Sequence, residues 1–533
     1  MSSEILKFSL NKGILLDKDT LSLLSEFPEE TAKEFIEKVS SFREKVITKS
    51  FFIKNAELIN QLITNKKIIE KLKISLGLTL EISREIMPLN QEQGKKALES
   101  IRVLFSHANS TKKLEPSDFT KYFRARLSEM KQFLQEREEL SGLTSINKIN
   151  GQKQSLCVIG AVYQKRVTKN KNIILEFEDL TGKISILINK DKEEVYKKAK
   201  EALIDDIIAV KGFGDSSIIF ANDIIYPDIF LPEKNFLDRD ERAAFISDIH
   251  VGSKNFLEAS LLKFISWLNG EFGDEKQKEE ARKVKYLFVN GDNVDGVGVF
   301  PGQEELISIK DVKKQYEKLA ELLGKIRKDI KIIMSPGQHD AVRVAEPQPA
   351  IGADYGLPVH QLENLILVSN PAVIEILNNG KKGIKILMYH GASMSSFVNE
   401  IETLRISKAH DAPSKVVKEI LKRRHLAPIH SSVTYIPCEK FDPLLIREIP
   451  DIITTADFHR PDIDSYHNIL IICTSCWQSI TPFEEKVGNN PDPCKVPILN
   501  LKTKEIKILD FSGEEKDKEC REEDEKMICE VKK

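Results

Sequence analysis

The chain has 533 residues, with 80 Lys and Arg against 82 Asp and Glu and a formal net charge of −2. That length predicts several domains, and the near-neutral total excludes a histone-like polybasic protein while leaving a local basic face for nucleic acid open. Hydrophobic residues make up 41% and charged residues 30%, too apolar for wholesale disorder. No apolar run reaches the roughly 18 residues of a membrane helix, and the start, MSSEILKFSLNKGILLDKD, lacks the apolar core of a secretory signal. Seven Cys without a framework spacing suit a reducing compartment, so a soluble cytoplasmic protein with no membrane contact is expected.

In chain order, residues 1–80 carry apolar positions at helical spacing (Ile5, Leu6, Leu10, then Leu21, Leu23, Leu24) and predict a helical domain. Residues 81–144 mix polar stretches with the charged helical pattern TKYFRARLSEMKQFLQEREEL, which predicts a linker and a helix acting as a solvated spacer. Over 145–235 come short β-rich runs (SLCVIGAVYQKRVT, NIILEFEDLTG, KISILIN, DDIIAVKGFGD, SIIFANDIIYP) with one helical run late in the series. That is the pattern of an oligonucleotide-binding-type β-barrel. Lys165 and Arg166, with Lys169 and Lys171, suit a phosphate backbone, and a barrel used only as a spacer or subunit contact is equally compatible. Residues 236–511 alternate apolar strands with helices, an α/β pattern whose strand candidates are AAFISD, YLFVNGD, IKIIMSPG, IKILMYHG, DIITTAD and ILIICTS. The tail 512–533 is nearly all charge, read as a solvated helix or a disordered end.

Nine of the ten histidines lie at or after position 250. Several fall in short loops that end candidate strands: Asp248-Ile-His250, Gly291-Asp292-Asn293-Val-Asp295-Gly296, Gly337-Gln338-His339-Asp340, Tyr389-His390-Gly391 and Ala456-Asp457-Phe458-His459. Strand ends are where open α/β sheets place ligands. Five rigid loops offering carboxylate and imidazole donors suit two divalent metals with one carboxylate between them.

The order of these motifs resembles that of calcineurin-like metallophosphoesterases. Longer stretches, FISDIHVGS, VNGDNVDGVGVFPGQEE, PGQHDAVRVAEPQP and LKRRHLAPIH, resemble the small subunits of archaeal family-D DNA polymerases over roughly 145–510. The resemblance implies a metallophosphoesterase β-sandwich flanked by helices, a 3′–5′ exonuclease acting on a primer 3′ end, and a large catalytic subunit as partner. Members of this family also engage a sliding clamp, although no clamp-binding signature stands at this carboxyl end. Carried over residue by residue, Asp248, His250, His459 and bridging Asp292 hold one metal, and Asp292, His390, Gln338 and Asp457 the other. The ions are expected to be Mn or Mg. His339 has no ligand role in that pattern; it would contact the phosphate or protonate the leaving oxygen, with Asp340 orienting its other ring nitrogen.

The chain departs from the family at two positions. The family usually has Asn where Gln338 stands and His where Asp457 stands, and both departures fall on the second metal. A harder, oxygen-rich but occupied site is one outcome. A non-catalytic or weakly active scaffold with a degenerate second site is the alternative. Outside this set, Arg343 suits a DNA phosphate or a surface ion pair. Lys422, Arg423, Arg424 and His425 form a basic run that suits DNA, a partner or a solvated helix face. Cys473 and Cys476 read as core thiols rather than zinc ligands, and His360, His410, His430 and His467 as structural.

Overall fold

The computed structural model describes residues 2–16, 21, 32–33, 36–37, 46–47, 100–107, 113–438, 441–513 and 528–530. The chain divides into two units, residues 1–94 and 95–533. In the first, the helix Ser2–Asn11 turns Ile5 and Ser9 inward, and strands β1 (Leu15–Leu16) and β2 (Val46–Ile47) pair in parallel. Most of the helical pattern expected over 1–80, and residues 81–99 of the expected linker, lie outside the described residues.

The second unit begins with β3 (Ile101–Ser106), an edge strand in a stretch that reads as linker because only Ile101 is fully buried. The helix Pro116–Gln135 is no solvated spacer. Asp118, Tyr122, Arg126, Met130 and Leu134 recur every fourth residue as its buried stripe, and two of those five are charged, which hides the stripe from a hydrophobic reading. Met130 and Leu134 pack on Ile159, Ile207, Ala209 and Ile225 of a barrel.

That barrel is closed by β4 (Gln154–Val167), β5 (Ile173–Asp179), β6 (Gly182–Ile188), β7 (Ile207–Gly214) and β8 (Ile218–Ile225), in the order β4-β5-β6-β8-β7. The helix Glu193–Glu201 connects β6 to β7. Alternate residues such as Leu175, Phe177, Ile184, Ile186, Ile208 and Val210 fill a core of its own, as period-2 strands require.

The remaining strands are β9 (Arg242–Ile246), β10 (Val284–Asn290), β11 (Lys331–Ser335), β12 (Leu365–Leu367), β13 (Ala372–Asn378), β14 (Lys381–Met388), β15 (Ile452–Thr455), β16 (Asp462–Tyr466), β17 (Ile469–Cys473), β18 (Lys495–Asn500), β19 (Ile506–Asp510) and β20 (Ile528–Glu530). One sheet runs β12-β11-β10-β9-β18-β19-β20 and the other β16-β17-β15-β14-β13-β3. The six strand candidates of the sequence are β9, β10, β11, β14, β15 and β17. β20 pairs with β19, so part of the charged tail is strand rather than helix.

Side-chain alternation sorts the layers. Ala243, Phe245, Phe288 and Ile333 of one sheet meet Ile374, Ile384, Ile386 and Ile452 of the other in a shared core, with Phe245 stacked on Phe288 at 5.1 Å. The opposite faces take helices. Ala244, Ile246 and Leu287 pack on Glu258–Leu268 and Val312–Gly324, while Leu387, Ile453 and Ile471 pack on Met394–Glu400 and Ser414–Arg423. The result is a mixed α/β helix–sheet–sheet–helix body with a five-stranded barrel against it.

The basic run 422–425 is neither a solvated face nor an open one; it is the seam between barrel and sheets. Arg423, 2% exposed, donates from Nε to Asp206 Oδ1 at 3.0 Å and from Nη2 to the Glu201 carbonyl at 2.6 Å. Lys422 Nζ reaches Glu201 Oε2 at 2.9 Å, and the Arg424 guanidinium lies 3.7 Å over the Phe133 ring. A second buried knot joins Arg126 Nε to Asp442 Oδ2 at 2.5 Å and Arg126 Nη1 to the Pro428 carbonyl at 2.9 Å, with His425 Nε2 2.9 Å from the same carboxylate oxygen. Such charges are kept buried only because each finds its counterpart.

Candidate metal centre

The loops after β9, β10, β11, β14 and β15 meet at one end of the two sheets. The β9 and β10 loops run side by side: Asp248 N donates to the Gly291 carbonyl and His250 N to the Asp292 carbonyl, each at 3.0 Å. Asp248, His250, Asp292, Asp457 and His459 all sit at left-handed φ between 47° and 70°, a conformation that costs energy for residues with a side chain and that clusters where function holds it. The glycines have a steric reason. A Cβ on Gly291 would fall 2.2 Å from His390 Nδ1, and one on Gly337 would fall 2.2 Å from Asp292 Oδ1. No side chain fits at either position.

Four imidazoles share one arrangement. Nδ1 of His250 lies 3.1 Å from Asp295 Oδ1, that of His339 2.8 Å from the Asp295 carbonyl, that of His390 2.7 Å from the Asn290 carbonyl, and that of His459 2.7 Å from Glu484 Oε1. A carbonyl only accepts, so Nδ1 of His339 and of His390 carries a proton and Nε2 is the nitrogen left to face the site. Those Nε2 atoms face the carboxylates. His390 stands 3.3 Å from Asp292 Oδ2, His459 3.4 Å from Asp248 Oδ1, and His250 and His339 each 4.0 Å from Asp292 Oδ2. Asp248, His250 and His459 bring their ligand atoms within 4.8 Å of one another, as a metal site requires, and so do Asp248, Asp292 and His390, and His250, Asp292 and His339. Among the described residues no cysteine joins such a group; Cys473 and Cys476 are buried.

The site's charge is balanced internally. Burial pushes the Asp292 carboxyl up, but the His390 and His339 rings outweigh it and hold the group well below the usual carboxylate range. Burial raises Asp457, with His390 opposing and Asp292 and Asp248 adding to the rise. Burial alone would lower His390; Asp292 keeps it well above an ordinary imidazole.

All seven residues expected to hold metal are brought together. Gln338 and Asp457 are bonded to each other, Nε2 to Oδ1 at 3.2 Å, and Asp457 Oδ1 lies 3.9 Å from His390 Nε2. His339 faces Asp292 as expected, but Asp340 does not orient it. The Asp340 carboxylate is turned into the loops, accepting from Gly337 N, Asn293 N, Asn293 Nδ2 and the Tyr316 hydroxyl, all within 3.1 Å. The Asp295 carbonyl holds His339 instead. The three cations expected to meet nucleic acid do not gather here. Lys165 Nζ is spent on the Lys200 and Ala202 carbonyls, Arg166 faces Glu176 at 3.6 Å, and Arg343 donates to the Ala345 and Pro347 carbonyls. Asp295 and Glu484 were given no role by the motifs. Glu484 carries a legible signal, though: Thr481-Pro-Phe-Glu484 is a helix-start capping box, and the structure forms it.

Residues 243–463 match the family of the DNA polymerase alpha/epsilon B subunit. The chain is similar to the DNA polymerase II small subunit of Methanothermobacter thermautotrophicus, 37% identical over 398 residues, covering 75% of this chain and 80% of that protein. It is 37% identical over 399 residues to the same protein of Archaeoglobus fulgidus, covering 74% and 78%. It is 38% identical over 401 residues to that of Pyrococcus furiosus, where the match spans 74% of this chain and 64% of the relative.

Proposed function

Since the chain belongs to the family of archaeal DNA polymerase II (family-D) small subunits, we propose that it acts as a metal-dependent 3′–5′ proofreading exonuclease bound to the large catalytic subunit. On this reading the paired sheets over 236–511 are a calcineurin-like metallophosphoesterase domain and the barrel over 145–235 is of the oligonucleotide-binding type. One observation carries the proposal. Asp248 Oδ1, His250 Nε2, His390 Nε2 and Gln338 Oε1 are buried polar atoms without a hydrogen-bond partner, and all four belong to this cluster. Buried lone pairs left unmatched are costly, and cations satisfy them together.

Asp248, His250 and His459 would hold one ion and His390, Gln338 and Asp457 another, with the Asp292 carboxylate available to both. When bound, two divalent ions of the Mn or Mg class supply Lewis acidity to the phosphoryl oxygens and acidify the attacking water. The protein does the rest. The pinned Nδ1 atoms fix the rings, so no reorientation is needed at the moment of reaction. His339, with Nδ1 held by the Asp295 carbonyl, presents Nε2 toward the same space, where it would contact the scissile phosphate or pass a proton to the leaving 3′ oxygen.

A second reading, a scaffold subunit with a degenerate second site, is favoured by the Gln338–Asp457 hydrogen bond, which ties the two altered positions to each other. Metal counting on the purified chain and cleavage of a mismatched primer–template in Mn, alone and with the large subunit, separate the two. Two ions per chain, and 3′ trimming lost in Asp292→Ala and His459→Ala, support the nuclease. One ion per chain and an inactive wild type, with cleavage restored by Gln338→Asn plus Asp457→His, support the scaffold.

A further inference from the structure

The loop from Asp295 to Gln303 lies along the Gln338–His339 turn. Gly296, Gly298 and Gly302 adopt φ of 72°, 75° and 83°, and a Cβ on Gly296 would fall 2.4 Å from the His339 carbonyl oxygen. The loop is pinned at both ends. Gln303 Nε2 donates to the Asp295 carbonyl at 2.7 Å, Gln303 Oε1 accepts from Val299 N at 2.9 Å, and Gly296 N donates to Gln315 Oε1 at 2.9 Å. At its tip three apolar side chains face solvent: Val297, Val299 and Phe300, 43%, 38% and 38% exposed. The Phe300 ring stands 6.2 Å from the His339 ring at 65°, and His339 in turn stands 4.8 Å from His250. A half-open aromatic face therefore lies one ring beyond the metal-ligating cluster, on a loop rooted in the residue that holds both His250 and His339.

We propose that Phe300 is a positioning residue on which the base of the nucleotide next to the scissile phosphodiester stacks. This rests on the phosphodiesterase reading and adds to it the side chain that would hold the terminal base. Every base has a π-face, so a single aromatic platform accepts any of them without reading sequence. A base held against Phe300 has left its partner, so an end that is already frayed or mismatched engages without the cost of melting a pair.

The test uses the full chain with its large subunit and single-stranded oligonucleotides ending either in a normal nucleotide or in an abasic one. With the normal end, Phe300→Ala is expected to raise KM about tenfold with little change in kcat, and Phe300→Trp to restore it. With the abasic end, Phe300→Ala is expected to match wild type. In calcium, a 3′-terminal 2-aminopurine is expected to be quenched by wild type and by Phe300→Trp but not by Phe300→Ala. An equal rise in KM for both ends, or full quenching by Phe300→Ala, overturns the stacking role while leaving the phosphodiesterase reading intact. Failure of wild type to cleave either end overturns that reading, and the stacking role with it.

Discussion

Glu484 is where metal affinity and helix stability separate most cleanly. Its Oε1 lies 2.7 Å from His459 Nδ1, while Oε2 accepts from Thr481 N and Thr481 Oγ1, both at 2.8 Å. One carboxylate therefore both orients a proposed metal ligand and closes the first turn of the helix Pro482–Val487. Glu484→Gln keeps the reach and the capping box, since Gln serves at that position, but its single amide oxygen stays with Thr481 and an NH2 donor replaces the oxygen that faced His459 Nδ1. Mn affinity should fall about 10- to 100-fold while the metal-free protein keeps its helix cap. Glu484→Ala removes both contacts. Loss of a partner behind a metal-bound histidine weakens metal binding about 10- to 100-fold, or about 1.4 to 2.8 kcal/mol. Loss of the cap costs the metal-free protein about a further 1 kcal/mol. Titration calorimetry with Mn on chelator-treated protein measures the first quantity, and urea denaturation without metal the second. If both variants bind Mn as wild type does, His459 is not held by Glu484 for metal, and the assignment of the first ion fails.

Arg126→Ala leaves the buried Asp442 carboxylate without its guanidinium and is expected to destabilise the second unit by about 3 to 5 kcal/mol, read as a lowered urea midpoint; a loss under about 1 kcal/mol would show the knot to be dispensable. Gly291→Ala is expected to abolish Mn binding while the far-ultraviolet circular dichroism stays that of the wild type, because the new Cβ would fall 2.2 Å from His390 Nδ1. Lys504 Nζ is buried without a hydrogen-bond partner among the described residues, and burial pushes the amine down to about 8 against a weaker pull from Asp451. A lysine whose folded value lies below its unfolded one weakens the fold while both states are protonated, and this penalty fades as pH climbs toward the unfolded value near 10.4. Lys504→Met should therefore stabilise by about 1 to 3 kcal/mol at pH 7 and by less than half as much at pH 10; an equal gain at both pH values would refute the burial argument.

The site was far more legible in the sequence than its surroundings. Asp248, His250, Asp292, His390 and His459 announce themselves because metals need oxygen and imidazole donors, strand ends are where loops deliver them, and Gly291 and Gly337 leave the room. What holds those donors was less visible. Glu484 is 25 residues from His459 and Asp295 45 residues from His250, so only folding reveals that they share a hydrogen bond. Asp340, adjacent to His339, looked like its natural support, yet the chain direction there turns the carboxylate toward Tyr316 and Asn293. The basic run 422–425 looked solvent-facing because the counter-charges that meet it from the barrel side are remote: Asp206 is 217 positions from Arg423, and Glu201 is 221 from Lys422. β3, and the burial of the expected helix Pro116–Gln135, were missed for a related reason, since the strand has a nearly bare edge and the helix buries charge.

That same seam decides what can be cut out of this chain. A fragment ending at residue 235 carries away the Asp206 carboxylate and the Glu201 carbonyl, so Arg423 keeps only Glu419 of its own helix and Asp206 loses its guanidinium. The barrel is thus a module in topology but not in inheritance. A chimaera that sets a relative's barrel on these sheets has to bring compatible partners for Arg423 and Lys422 with it, and one that exchanges the helix Pro116–Gln135 has to preserve the Phe133 ring under Arg424 and the match between Arg126 and Asp442.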